Sequence, residues 1–196
     1  MLTIVLSHTN PSTTAELCQL HVHAKPLQSK LNTHTIADPC TVTLLGSERS
    51  RPWIKESQWV TDRKPLEALM HNACSEAILT ANADGEHVLE GLKANFFAVV
   101  WNENRDRWEL HTASSGLDAQ PGVLNGTVRD WICEHCEAHL GLPVVQRHPR
   151  ISEAKAYWDE AFITSAIRIS QPVESVVRPL RGNNQNVDEV EPVVER

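Results

Sequence analysis

The stretch that decides the fold runs from Ser75 to Val100 and reads SEAILTANADGEHVLEGLKANFFAVV. Residues 76–81 form an apolar, strand-prone run, an Asn-Ala-Asp-Gly cluster typical of a turn follows, and residues 95–101 form a second apolar run. This pattern predicts strand, turn, strand, with Glu90 and Gly91 between the two strands. A carboxylate placed directly before a buried aromatic strand is costly unless a cation meets it, whereas an exposed strand end would leave Glu90 solvated. The residues alone leave both interpretations open.

Composition limits the class of protein. The chain has 196 residues, of which 41% are hydrophobic, and a formal net charge of -7. These values are typical of a globular protein and argue against a dedicated nucleic-acid binder. No apolar run reaches membrane-spanning length, and the first residues lack the basic start and cleavage pattern of a signal peptide. Five irregularly placed cysteines suit a reducing compartment. We therefore expect an intracellular protein that binds neither nucleic acid nor membrane.

Two further segments stand out, although each has an ordinary structural explanation and only the first, weakly, favours a bound anion. Residues 121–129 read PGVLNGTVR, a glycine-bearing turn that opens a helix predicted to end at Gly141. Such a turn presents free backbone N–H groups and the positive end of the helix dipole, but Asn125 is equally a plain helix cap. Residues 161–166 read AFITSA, which predicts a buried strand followed by a loop that carries hydroxyl groups.

These blocks resemble the signature of the class IV aminotransferases, which use pyridoxal 5'-phosphate (PLP) and include branched-chain and D-amino-acid aminotransferases and aminodeoxychorismate lyase. The family pattern is E-A-hydrophobic, D-G, E-G and S-N-F-F, then G-V-L-x-G-x-x-R, and then a T-S/G-x loop before a P-V strand. Ala94 departs from it, since a small hydroxyl residue is common there. The resemblance implies a mixed α/β protein with the D-amino-acid aminotransferase-like PLP fold. The matching residues are Glu76-Ala77, Asp84-Gly85, Glu90-Gly91, Asn95-Phe96-Phe97, Gly126 to Arg129, Thr164-Ser165-Ala166 and Pro172-Val173.

The resemblance also implies a lysine that forms a Schiff base with the cofactor, roughly twenty residues before the E-A strand. This spacing points to Lys55, which on composition alone would be an ordinary solvated lysine. Lys64, inside a helix predicted over residues 62–72, is the alternative. In this chemistry the lysine amine holds the cofactor aldehyde as an imine and moves the proton at the substrate α carbon, while a carboxylate keeps the cofactor ring protonated.

The implied site follows residue by residue. Lys55 is the catalytic residue, Glu90 faces the ring nitrogen of PLP, and no metal is expected. Ala166 belongs to the substrate site. The remaining cofactor-binding residues are Asn95, Gly126, Thr127, Val128, Thr164 and Ser165.

Several features depart from the family. Trp59 and Val60 stand near the position where a tyrosine is often found, and Val128 stands where threonine is common. No residue could be matched to the arginine that the family's N-terminal domain supplies to the cofactor phosphate. We expect a partial N-terminal domain over residues 1–54, a PLP-binding domain over 55–180 and a flexible acidic tail over 181–196, so that parts of the family's fold are missing at both ends.

The predicted function is transamination of a small amino acid or keto acid by a homodimer. An aminodeoxychorismate-type lyase is the first alternative, and a catalytically degenerate relic that acts as a binding or assembly subunit is the second. A zinc-binding module built on Cys133 and Cys136 is disfavoured. Their C-x-x-C spacing lies inside a predicted helix without a second pair, and Cys136 fits a core position better.

Overall fold

The computed structural model describes residues 2–8, 18–26, 37–81, 85–119, 121–179 and 190–195. The chain divides into two compact units, Met1–Thr35 and Ile36–Arg196. The domain boundary predicted between residues 54 and 55 does not coincide with this division. The reason is that the strand at residues 40–47 pairs within the sheet of the larger unit.

The smaller unit contains an antiparallel pair of strands, β1 (Leu2–His8) and β2 (Cys18–Ala24). Directly opposed residues of such a pair share a face, and the apolar side chains on one face of this pair are exposed. They are Ile4, Leu6, Leu20 and Val22.

The larger unit combines a mixed sheet with four described helices. Its strands are β3 (Cys40–Ser47), β4 (Cys74–Ala81), β5 (His87–Gly91), β6 (Asn95–Asn102), β7 (Arg107–Thr112), β8 (Val144–Gln146), β9 (Trp158–Ser165), β10 (Ile169–Pro179) and β11 (Val190–Glu195). Its described helices are α1 (Gln58–Asp62), α2 (Lys64–Ala68), α3 (Thr127–Leu140) and α4 (Ile151–Tyr157).

The strands follow the order β11-β10-β3-β4-β5-β6-β7-β8, and β9 pairs with both β6 and β10. As a result β3, β4, β5, β6, β9 and β10 form a closed circuit of paired strands. β3 is parallel to β4 and β10, and β7 is parallel to β8, whereas the other pairs are antiparallel. The predicted mixed α/β class is confirmed.

The two faces of β6 belong to different parts of the core. Phe97 and Val99 pack beneath α3, together with Cys136 of that helix. Phe96 and Ala98, which point the other way, pack with residues of α4. The expectation that Cys136 is a core residue is therefore confirmed. A third cluster lies beneath α1 and α2 and contains Ala77, Leu79, Leu89 and Leu92.

Two local predictions were wrong. The helix predicted over residues 62–72 is instead α1 and α2, and a proline, which has no backbone N–H to continue a helix, occupies the first turn of α2. Glu90 and Gly91 lie inside β5 rather than between strands, because β5 ends in a tight turn where the Gly91 N–H donates to the Ala94 carbonyl at 2.7 Å.

The predicted flexible tail also needs correction where it is described. Residues 190–195 form β11, which pairs with β10 in antiparallel register. β11 is at the end of the strand order, and a proline is tolerated in an edge strand because its missing N–H need not serve a neighbour on the open side. Residues 181–189 lie outside the described residues.

Candidate active site

Three of the predicted site residues lie in one row across adjacent strands. Asn95 at the start of β6 is paired with Glu90 of β5 on one side and with Thr164 of β9 on the other. Directly paired residues of antiparallel strands point to the same face. Phe97 and Phe162, two residues along from Asn95 and Thr164, pack beneath α3, so this row faces α3.

The segment that leads into α3 is bonded to this row. The Leu124 N–H donates to Glu90 Oε2 at 3.1 Å, and Asn95 Nδ2 donates to the Leu124 carbonyl at 2.8 Å. Gly126, the N-cap residue of α3, approaches Asn95 so closely that a Cβ at this position would collide with Asn95 Oδ1. Only a residue without a side chain fits here.

The first turn of α3 has backbone donors available. Gly126 has extended backbone angles, and no side chain among the described residues caps the helix. The first N–H groups of a helix have no partner within it and carry the positive end of its dipole. The N–H groups of Thr127 and Val128, which follow Gly126, therefore have no partner within the helix and lie beside the row.

Arg49 provides the cation that meets the buried Glu90. Its Nη1 lies 3.4 Å from Glu90 Oε1, and both side chains are almost fully buried. The guanidinium also stacks 4.6 Å from the centre of the Trp59 ring, and Trp59 Nε1 donates to the Leu92 carbonyl at 2.9 Å. Sequence reasoning missed Arg49. A buried carboxylate implied a cation somewhere, but the pattern did not single out one of the 18 lysines and arginines.

The environment of Glu90 raises the pKa of its carboxyl group toward neutral pH. Burial raises the pKa of Glu90 to about 7, because a charged carboxylate is poorly solvated there. The charge of Arg49 and the hydrogen bond from the Leu124 N–H act in the opposite direction. Glu90 can therefore gain or lose a proton near neutral pH.

The two candidate lysines are both exposed. Lys55 lies in the loop between β3 and α1, and the carbonyl of the preceding Ile54 accepts a hydrogen bond of 3.0 Å from Arg49 Nη2. Arg49 thus joins the backbone beside Lys55 to Glu90. Lys64 is the first residue of α2.

The end of β9 holds the remaining predicted residues. The Thr164 hydroxyl is buried and has no hydrogen-bond partner among the described residues. Ser165 Oγ accepts a hydrogen bond of 3.1 Å from the Arg168 N–H, and Ala166 is exposed in the turn that follows.

Comparison with known proteins identifies the family. The family model described as amino-transferase class IV matches residues 5–176. The chain belongs to the class IV aminotransferases.

Solved structures with the same fold include other members of this family. The branched-chain amino acid aminotransferase from Thermobaculum terrenum (M4 mutant) is 17% identical with a TM-score of 0.67, covering 95% of this chain and 56% of that chain. The branched-chain aminotransferase from Thermoproteus uzoniensis with norvaline is 18% identical with a TM-score of 0.63, covering 94% of this chain and 64% of that chain.

A hypothetical aminotransferase from Mycobacterium tuberculosis, in a PLP-bound form, is 14% identical with a TM-score of 0.64, covering 89% of this chain and 60% of that chain. At these identities the likeness shows the shared fold. This class IV aminotransferase therefore spans between 56% and 64% of the length of these three structures. No curated protein sequence matches it.

Arg129, the arginine of the family's G-V-L-x-G-x-x-R pattern, fastens the segment that leads into α3. It is buried, and its Nη2 donates to the Ala113 carbonyl at 2.7 Å. Its Nη1 donates to Asn125 Oδ1 at 2.8 Å and to Ser115 Oγ at 2.9 Å. The motif was visible in the sequence, but the role of its arginine in fastening the segment before α3 was not.

Within the described ranges, no group of three or more histidine, cysteine, aspartate or glutamate side chains could hold a metal ion. Of the helices in that part of the chain, none is long and apolar enough to cross a membrane.

Proposed function

We propose that this chain carries PLP-dependent amino-group chemistry, in the form of transamination of a small amino acid. The observation that carries the proposal is the row of Glu90, Asn95 and Thr164 beside the uncapped start of α3. The row places the Glu90 carboxylate on one face of the sheet, and the start of α3 (Gly126 to Val128) would form an anion-binding end on the same face. A phosphorylated ring with a basic nitrogen suits this arrangement, because its nitrogen would face the carboxylate and its phosphate would face the anion-binding end.

The residues present fit the phosphate of such a cofactor. The buried Thr164 hydroxyl lacks a partner among the described residues, and a buried hydroxyl is costly to leave unpaired. The backbone N–H groups of Thr127 and Val128 would donate to phosphate oxygens, as helix N-termini commonly do. The Gly126 N–H donates to the Leu124 carbonyl at 2.9 Å and would exchange that partner for a phosphate oxygen. The Ser165 hydroxyl would add a further donor.

Glu90 would serve the other end of the cofactor. When bound, PLP supplies an aldehyde that reacts with amines and a protonated ring that draws electrons from the substrate α carbon. Glu90 would hold the proton at the ring nitrogen, and Arg49 and the Leu124 N–H would orient its carboxylate. Asn95 orients the segment before α3 through its bond to the Leu124 carbonyl.

Lys55 is the proposed catalytic residue. Its amine would attach the cofactor and would take up and return the proton at the substrate α carbon. The bond from Arg49 to the Ile54 carbonyl supports this choice over Lys64, because it links the backbone beside Lys55 to Glu90. Ala166, in the exposed turn after β9, would contact the substrate.

The first test is to add PLP to the purified chain, reduce with borohydride and locate the modified peptide by mass spectrometry. We expect a stable label on Lys55 that disappears in Lys55→Ala and persists in Lys64→Ala, the matched control. A label only on Lys64, or one scattered over surface lysines, would contradict the assignment.

A screen with small L- and D-amino acids and a keto-acid acceptor then separates the candidate reactions. Transfer of the amino group to the acceptor supports transamination. Consumption of aminodeoxychorismate without such transfer favours the lyase alternative. Light scattering on the same sample tests the proposed homodimer.

The Arg49–Glu90 pair also favours a second candidate, a family relic that acts as a binding or assembly subunit. Because Arg49 already meets the Glu90 carboxylate, the pair could serve stability alone. This candidate would be supported if the chain folds and associates with a partner but borohydride reduction gives no specific PLP label on any lysine.

A further inference from the structure

Glu76 is a buried carboxylate that the proposed chemistry does not use. It lies near the start of β4 without exposed surface, and no described group donates a well-aligned hydrogen bond to either of its oxygens. Its charged partner is Arg168, whose Nη1 lies 3.5 Å from Glu76 Oε2. Burial raises the pKa of Glu76, and the charge of Arg168 opposes this effect. Arg168 is therefore the group that favours the ionised form of Glu76 most directly.

Arg168 also holds the turn between β9 and β10, residues 165–169. Its backbone N–H donates to Ser165 Oγ at 3.1 Å, while its side chain reaches away to Glu76 and to the Ser75 carbonyl, 3.4 Å from Nη2. One residue therefore joins the turn that follows Thr164 to a different strand of the sheet.

This turn contains a strained residue. Ile169 has a φ of 61°, in the left-handed region that β-branched residues rarely adopt. Such a conformation persists only where surrounding contacts enforce it, and it is frequent at functional sites. The ion pair of the adjacent Arg168 with Glu76 is a contact that can enforce it.

Glu76 supports the site from the opposite face of the sheet. A Cβ at Gly91 would lie 2.8 Å from Glu76 Cγ, whereas the neighbouring Glu90 points the other way, toward Leu124. Glu76 and Arg168 thus lie behind the row that carries Glu90, Asn95 and Thr164.

We infer that Arg168 is a positioning residue for the anion-binding end of the site. Its ion pair with Glu76 holds the strained turn, and the turn places Thr164 and Ser165 for the cofactor phosphate. This inference rests on the proposed function.

The test compares the binding of PLP with that of pyridoxal, which has the same ring and aldehyde but no phosphate. In the wild-type chain PLP binds more tightly. Arg168→Met lowers the ratio of the two affinities by about fivefold or more, and the pyridoxal Kd stays within about twofold of the wild type. Glu76→Gln acts in the same direction. The double variant is no worse than Arg168→Met, because the two residues act as one unit.

Two further variants separate positioning from general stability. Arg147→Met removes an exposed ion pair of 3.1 Å with Glu153 and leaves the affinity ratio unchanged. Ile169→Gly removes the strain, because glycine accepts a positive φ, and it restores the ratio in the Arg168→Met background.

A folded Arg168→Met chain with the wild-type ratio overturns the inference. If circular dichroism shows that Arg168→Met does not fold, Glu76→Gln replaces it in the test, because glutamine keeps the side-chain shape. A folded Glu76→Gln chain with the wild-type affinity ratio then overturns the inference. A wild-type chain that binds PLP no more tightly than pyridoxal overturns the proposed phosphate end itself, and with it the positioning role.

Discussion

At Glu90, the ionisation of one side chain depends on a few neighbours. The carboxylate is buried, Arg49 lies 3.4 Å from Oε1, and the Leu124 N–H donates to Oε2. Removing one partner of a buried ion pair is far more damaging than never having had the pair, because the remaining charge cannot reach water.

Above pH 7, where Glu90 is ionised, Arg49→Met should lower the free energy of unfolding by about 3 kcal/mol, because it leaves the Glu90 carboxylate buried without its cation. Adding Glu90→Gln to this variant should recover most of the loss. Urea unfolding followed by tryptophan fluorescence measures both. The matched control is Arg51→Met, which breaks an ion pair with Glu56 in which Arg51 is 54% exposed. It should cost less than about 1 kcal/mol. Equal losses for Arg49→Met and Arg51→Met would refute the structural importance of the buried pair.

The second prediction concerns pH. The pKa of Glu90 is raised by burial from its ordinary value of 4.5 to about 7, so between these values the folded chain holds a proton that the unfolded chain has lost. The contribution of Glu90 to stability is therefore fully present below pH 4.5 and is lost as the pH rises toward 7. Relative to Glu90→Gln, the wild-type chain should lose stability across this window in urea unfolding. A difference that is constant with pH would contradict the raised pKa.

The two ends of α3 each require a glycine, but for different physical reasons. Gly126 has a φ of -68°, which any residue adopts, and its small size matters because Asn95 Oδ1 lies against it. Gly141 has a φ of 65° and faces open space, so its backbone conformation matters. The helix itself ends there, as its sequence predicted.

Gly126→Ala should cost about 1–3 kcal/mol, because the added methyl group forces Asn95 and the segment before α3 apart. It should also abolish the preference for PLP over pyridoxal. Gly141→Ala, the control at the other end of the same helix, should cost about 1 kcal/mol through its left-handed conformation and leave that preference intact. Thermal unfolding and the two binding constants provide the measurement. Loss of the preference in both variants would point to a general effect on α3.

A second buried polar network lies on β7, outside the proposed site. Glu109 Oε1 accepts hydrogen bonds of 3.2 Å from Arg105 and Arg107, and its Oε2 accepts one of 3.0 Å from Asn102. His111 Nε2 lies 3.2 Å from the same Oε2. Burial acts to raise the pKa of Glu109, but the hydrogen bonds and the arginine charges outweigh it and lower the pKa to about 2.

Acid unfolding should depend on this network. Because the folded pKa of Glu109 is depressed, its contribution to stability is present above pH 4.5 and is lost as the pH falls toward 2. Burial lowers the pKa of His111, which adds a loss of stability as the pH falls below 6.5. Glu109→Gln should therefore be less stable than the wild type at pH 6, and the difference should shrink below pH 4.5 and vanish only as the pH falls to about 2. Circular dichroism during acid titration checks this, and parallel curves at all pH values would contradict it.

The site could be predicted in part because some of its features are local. The E-G and N-F-F blocks, the glycine before α3 and the hydroxyls after β9 all follow patterns of a few residues, and these patterns sufficed for the family and the fold class. The assignments of Lys55, Glu90, Asn95, Gly126, Thr127, Val128, Thr164, Ser165 and Ala166 remain proposals that the experiments above test.

Features that depend on neighbouring residues could be predicted from the sequence, namely most of the strands, the start and end of α3 and the family signature. Four contacts became visible only in the folded chain. Arg49 meets Glu90, Arg168 meets Glu76, β9 closes the circuit between β6 and β10, and β11 pairs with β10. The physical reason is sequence separation. Each of these contacts joins segments that are distant along the chain or separated by a reversal of direction, and packing of the whole sheet brings them together. Local propensity does not encode which of many compatible partners is chosen.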